Sequence, residues 1–188
     1  MNCLFESLEG RRLMSTTPML NVSLDSAGVL TINNSNQVNV QEFPGNGSTI
    51  PTSVVVTSPQ IAIYTGSSDN SGTYLGVTKI VINGTNDNDA ISVLDTDIPA
   101  AINTGNGRDT ITLISSAPAS IFASSLATVT IDSGNQDDTI ILVADPDHPG
   151  SVVAIVNGGN GSDIVDVSGP IGYTINTSRG NDILIIES

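Results

Sequence analysis

The chain has 188 residues, of which 19 are Asp or Glu and 5 are Lys or Arg, for a formal net charge of −14. That length suffices for one domain with a sizeable core or for two small ones. The charge argues against nucleic acid and anionic membrane surfaces, which recruit Lys and Arg, and favours cations, metal ions above all.

Residues 1–18 hold a basic pair, Arg11-Arg12, but no apolar stretch of the length a standard secretory signal requires. They read as an export-like or disordered segment. Cys3 is the only cysteine, so no disulfide framework or zinc cluster is expected. The run Phe5-Glu6-Ser7-Leu8-Glu9-Gly10-Arg11-Arg12-Leu13-Met14-Ser15 resembles the short segment that opens many surface and extracellular proteins of planctomycete bacteria. The resemblance implies export, to the cell surface or beyond.

Residues 19–76 are irregular. Gly28 to Val40 alternates apolar and polar residues around Asn33-Asn34-Ser35-Asn36 and reads as a degenerate repeat with a shortened turn and no aspartate. Ser53–Thr57 and Gln60–Tyr64 are further strand candidates. Asn46-Gly47 and residues 67–72 mark turns, and a separate small β domain with its boundary near 67–72 is the alternative to the reading that follows. The region reads as strands that begin or cap a stack formed by the rest of the chain.

Residues 77–188 repeat. The segments 82–91, 102–111, 131–140, 156–165 and 175–184 share one frame: Ile or Val, then Asn or Asp, then a Gly- or Ser-bearing turn, then Asp, then an apolar residue two further on. The shared aspartates are Asp89, Asp109, Asp138, Asp163 and Asp182, separated by 20, 29, 25 and 19 residues. Short alternating runs flank each turn, among them Val77–Ile82, Ile91–Val93, Ala127–Ile131 and Ile140–Leu142. One such unit cannot bury its apolar face, whereas stacked copies can. The fold class expected is all-β, a parallel β-solenoid of the β-roll or β-helix kind. Inserts at 115–118 and 145–150 absorb the unequal spacing.

In such a stack the turns lie at about the inter-strand spacing, roughly 4.8 Å. A column of aspartates at that spacing repels itself unless a cation lies between its members. The run Gly158-Gly159-Asn160-Gly161-Ser162-Asp163-Ile164-Val165-Asp166 resembles the glycine-rich nonapeptide of the RTX, or haemolysin-type, calcium-binding repeats. Thr104 to Thr112 departs from that pattern only at its first residue, and the other copies keep one glycine each. The resemblance covers about residues 77–188 and implies Ca²⁺ as cofactor. The ligands it implies are the five aspartates with Gly84, Thr104, Gly107, Ser133, Gly158 and Gly161. One motif per repeat, rather than motifs back to back, means that one edge alone carries the column.

A metal-free alternative stands beside this. Asn86, Asn106, Asn135 and Asn160 recur at one turn position, and Asn83, Asn103, Asn157 and Asn176 at another. Asn tolerates positive φ, and stacked Asn side chains hydrogen-bond to one another. The pairs Asp95/Asp97 and Asp145/Asp147 read as solvated loop acids, and His148 as bland surface. Arg108 and Arg179 lie within turns and are placed to pair with aspartates. No nucleotide, hydrolase or zinc-protease motif occurs, and one His and five basic residues give little to build a catalytic groove. A non-catalytic extracellular structural or adhesive module is therefore expected. Its alternative is a metal-free solenoid for self-assembly or polysaccharide binding, with a lyase- or epimerase-like enzyme behind both. Self-association through the apolar segment 182–188, and a polysaccharide or cell-surface partner, complete the expectations. No apolar run approaches the roughly 20 residues of a membrane helix.

Overall fold

The computed structural model describes residues 21–33, 37–43, 53–57, 72–94, 98–115, 127–144, 152–169 and 171–187. These form fifteen strands and, among the described residues, no helix. One sheet contains, in spatial order, β1 (Asn21–Leu24), β2 (Val29–Asn33), β6 (Lys79–Asn83), β8 (Ala100–Asn103), β10 (Ala127–Asp132), β12 (Val152–Asn157) and β14 (Gly172–Asn176). The other runs β15 (Ile183–Glu187), β13 (Ile164–Ser168), β11 (Thr139–Ala144), β9 (Thr110–Ser115), β7 (Ala90–Leu94), β3 (Gln37–Phe43), β4 (Ser53–Thr57) and β5 (Gly72–Leu75).

From β6 onward, consecutive strands alternate between the two sheets, and each pairs in parallel with its equivalent one repeat away. β2 and β3 continue both sheets, pairing in parallel with β6 and β7. The degenerate repeat read at 28–40 thus contributes one strand to each sheet. Antiparallel pairing occurs at β1–β2, β3–β4 and β4–β5.

The alternation of residue types explains the strands. In β10, Ala127, Val129 and Ile131 point inward, while Thr128, Thr130 and Asp132 face out. β-Branched side chains fit such a pleated surface. The register stacks like on like: Ile32, Ile82, Ile102, Ile131 and Val156 form one interior row. Val38, Ile91, Ile111, Ile140 and Val165 form the facing row in the other sheet. All ten are buried, and each contributes about 1.5–3 kcal/mol of burial free energy.

The rows end in the open at one side. Leu184 pairs with Val165 and Ile186 with Val167, so both occupy core register. They are nevertheless 48% and 51% exposed, because β15 is an edge strand. Tyr173, in register with buried Ala154, is likewise exposed on edge strand β14.

The candidate strand at 60–64, the loop acids Asp95, Asp97, Asp145 and Asp147, His148, the inserts at 116–118 and 145–150, and residues 1–20 lie outside the described residues. No helix among the described residues is long and apolar enough to cross a membrane.

Candidate metal centre

Every Asp-bearing turn joins a strand of the first sheet to the next strand of the second: β6 to β7, β8 to β9, β10 to β11, β12 to β13 and β14 to β15. The parallel register therefore brings all five predicted aspartates into one column. Asp89, Asp109, Asp138 and Asp163 are buried, and Asp182, on the open side, is half-buried.

The column is bonded along its length. The Asp89 amide donates to Oδ1 of Asp109 (2.8 Å), that of Asp109 to Asp138 (2.8 Å), that of Asp138 to Asp163 (3.0 Å) and that of Asp163 to Asp182 (3.0 Å). Each aspartate carbonyl in turn accepts the amide that follows the next aspartate, as with Thr139 to Asp109 (2.8 Å) and Ile164 to Asp138 (2.9 Å). One carboxylate oxygen each of Asp109, Asp138, Asp163 and Asp182 is thereby committed to holding neighbouring turns together.

The second oxygen is not. Oδ2 of Asp109, of Asp138 and of Asp163 is buried without a hydrogen-bond partner. Burial raises the carboxyl of all three above the usual range, and it pushes Asp138 to about 7. The Thr104 hydroxyl and the Asp89 amide oppose the rise at Asp109, the Asp109 amide and the Ser133 hydroxyl oppose it at Asp138, and the Asp138 amide opposes it at Asp163, while the charges of Asp109 and Asp163 add to it at Asp138. An ionised carboxylate held this way carries a penalty of several kcal/mol unless a partner is supplied. A buried polar atom without a partner calls for one, a proton or a cation.

The surroundings of these oxygens are oxygen-rich and tight. The buried hydroxyl of Thr104 donates to the Ser133 carbonyl (3.0 Å), and that of Ser133 to the Gly158 carbonyl (3.0 Å). The same two hydroxyls also oppose the rise of the carboxyls in their own turns, Thr104 at Asp109 and Ser133 at Asp138. Gly158 opens space at the next turn: a Cβ there would lie 2.6 Å from Oδ2 of Asp163. Gly107 is buried, whereas Gly84 and Gly161 are partly exposed. Carboxylate, carbonyl and hydroxyl oxygens are the donor set of a hard cation such as Ca²⁺. The group fits these residues. Among the described residues no three His, Cys, Asp or Glu side chains gather in one cluster, because the stack supplies one carboxylate per turn. An ion here would take most of its ligands from backbone and hydroxyl oxygens.

Backbone conformation explains why the oxygens are free. Gly105, Gly134, Gly159 and Ser178, at the second turn position, have φ of 95°, 88°, 83° and 64°. Positive φ turns their carbonyls toward the next turn: those of Gly105, Gly134 and Gly159 accept the amides of Asn135, Asn160 and Arg179 at 2.9–3.0 Å. The first turn has Thr85 at this position, without positive φ. There the Thr85 amide donates to Oδ2 of Asp89 (2.8 Å) and the Thr85 hydroxyl to Oδ1 (2.9 Å). Burial still raises the Asp89 carboxyl, with these Thr85 bonds opposing it.

The predicted Asn column is present: the side-chain amide of Asn106 donates to Asn86 (2.9 Å), that of Asn135 to Asn106 (2.8 Å) and that of Asn160 to Asn135 (2.8 Å). At the other Asn position the column is broken into pairs, Asn83 to Asn33 (2.7 Å) and Asn157 to Asp132 (3.3 Å).

Sequence reasoning missed a further column at the fifth turn position. Asn88 accepts the amide of Arg108 (2.9 Å), Asp137 that of Ser162 (3.0 Å) and Ser162 that of Asn181 (3.4 Å). It runs opposite in sense to the aspartate column beside it. Its signal is an acceptor at each position except Arg108, which instead pairs with Asp137 at 2.9 Å. That pair is well exposed and contributes about 0–1 kcal/mol.

No protein-family model, no curated protein and no solved structure matches the chain.

Proposed function

We propose that the chain is a parallel β-solenoid stabilised by calcium and acts as a non-catalytic structural or adhesive module outside the cell. The observation that carries this reading is the row of buried, unpartnered Oδ2 atoms on Asp109, Asp138 and Asp163. The RTX-like spacing, the net charge of −14 and the planctomycete-like opening segment agree with it. When bound, calcium supplies positive charge that holds adjacent carboxylates in the ionised form. The chain's own residues do the rest: Oδ1 of Asp109, Asp138, Asp163 and Asp182 ties each of those turns to the one before it, and the glycines keep the backbone close. Equilibrium dialysis of the full chain at about pH 8 is expected to show calcium bound, with magnesium in equal concentration bound far more weakly. A chain that takes up no calcium contradicts the reading.

The Asn86–Asn106–Asn135–Asn160 column favours a second reading, a metal-free solenoid for assembly or polysaccharide binding. In it, amide pairs and turn backbone hold the stack, and protons neutralise the aspartates. The dialysis experiment separates the two.

We also propose that the 188-residue chain pairs with a second copy through β14 and β15. Their outer edges leave core-register Leu184 and Ile186 exposed, and such an edge is a template for pairing. The opposite side of both sheets ends in antiparallel strands, β1 and β4–β5. Like faces meeting give a closed dimer rather than a filament. Light scattering is expected to show a dimer that Leu184→Lys with Ile186→Lys converts to a monomer. A monomeric parent overturns this, and a parent that dimerises only after removal of residues 1–18 assigns the face to that segment instead.

A further inference from the structure

We infer that the first turn is closed by Thr85 in place of an ion, so that the cation sites begin at the turn of Asp109. This inference rests on the calcium reading above. Both oxygens of Asp89 already accept hydrogen bonds from Thr85, at 2.8 and 2.9 Å. The three deeper carboxylates each keep Oδ2 unpartnered. The difference lies in the second turn position. A residue with positive φ presents its carbonyl to the next turn and withholds its amide from the aspartate. Thr85, without positive φ, gives both its amide and its hydroxyl to the aspartate.

Thr85 also fixes the rest of the turn. Its hydroxyl oxygen accepts the amide of Asp87 at 3.0 Å, a bond compatible with the absence of positive φ at Asp87. The fourth position in the other turns has positive φ throughout: Gly107, Gln136, Gly161 and Gly180. The first turn is thus a hydrogen-bonded lid at the end of the column. A side chain donor does there what a cation does further along, so the aspartate column ends without an ion on that side.

The test is calcium uptake per full-length chain by equilibrium dialysis, with melting in EGTA measured alongside. Asp138→Asn is expected to lower uptake by about one ion per chain. Asp89→Asn is expected to leave uptake at the parent's value while lowering the melting temperature in EGTA, since it disturbs the Thr85 bonds. The double change Thr85→Gly with Asp87→Gly restores glycine at both positions and is expected to raise uptake above the parent's. Equal loss of uptake in Asp89→Asn and Asp138→Asn overturns the inference and leaves the calcium reading standing. A double variant with the parent's uptake overturns the role given to Thr85. A parent that binds no calcium overturns both.

Discussion

Asp138→Asn is expected to stabilise the metal-free protein and to destabilise the calcium-loaded one. Asp138 lies buried between two like charges, its carboxyl pushed from 3.8 to about 7. Asn keeps an acceptor for the Asp109 amide and removes the buried charge. Relieving that charge near pH 8 is worth on the order of 2–4 kcal/mol, a rise in melting temperature of about 5–15 °C for a chain of this size. With calcium present, the same change removes an anionic ligand that carbonyls do not replace. The order of stability then reverses. Thermal melts of parent and variant, each in EGTA and in calcium, check the crossing. Destabilisation in both conditions would mean that the Asp138 charge is already compensated within the folded chain.

Gly159→Ala is expected to be among the most damaging single-methyl additions in the molecule, costing about 3 kcal/mol or more. Gly159 has φ of 83°, and a Cβ there would run into the Gly134 carbonyl oxygen directly above it in the stack. That carbonyl accepts the Asn160 amide at 2.9 Å, so moving it away breaks the bond joining the two turns. Gly76 provides the comparison. It too has positive φ, 72°, but nothing lies within 4 Å of the position a Cβ would take. Gly76→Ala carries only the conformational cost, about 1 kcal/mol. Denaturant melts of the two variants check the ranking, and equal losses would show that backbone proximity between turns is not what demands glycine at position 159.

Both expectations depend on features with different visibility in the sequence. The repeat frame, the strand positions and the aspartate and first Asn columns were legible, because one residue type recurs at a fixed place in every copy. Alternation in segments such as Ala127–Asp132 specified which side chains face inward. The column through Asn88, Asp137 and Ser162 was not legible, since three residue types share one acceptor role. Nor was the exceptional first turn. Gly84 to Ser92 keeps the frame, and Thr85 looks like one more departure from glycine. Only its bonds to Asp89 show that the departure closes the carboxylate. The antiparallel placement of Ser53–Thr57 beside β3 was hidden for another reason: a lone apolar run carries no record of its partner's direction.

A folded chain that holds buried carboxylates in want of positive charge must lose stability as they ionise. A carboxyl whose folded value lies above its unfolded one binds its proton more tightly in the folded state. For Asp138 the window runs from about 4 to about 7. Below that window the protonated group costs nothing, and above it the ionised group carries its full penalty. The measurement is the melting temperature of the full chain from about pH 5 to pH 8, once in EGTA and once in millimolar calcium. In EGTA it should fall as pH rises. In calcium the fall should be abolished or reversed, because the ion binds the ionised form and replaces the proton. Two superimposable curves would mean that calcium does not replace the proton on these carboxylates.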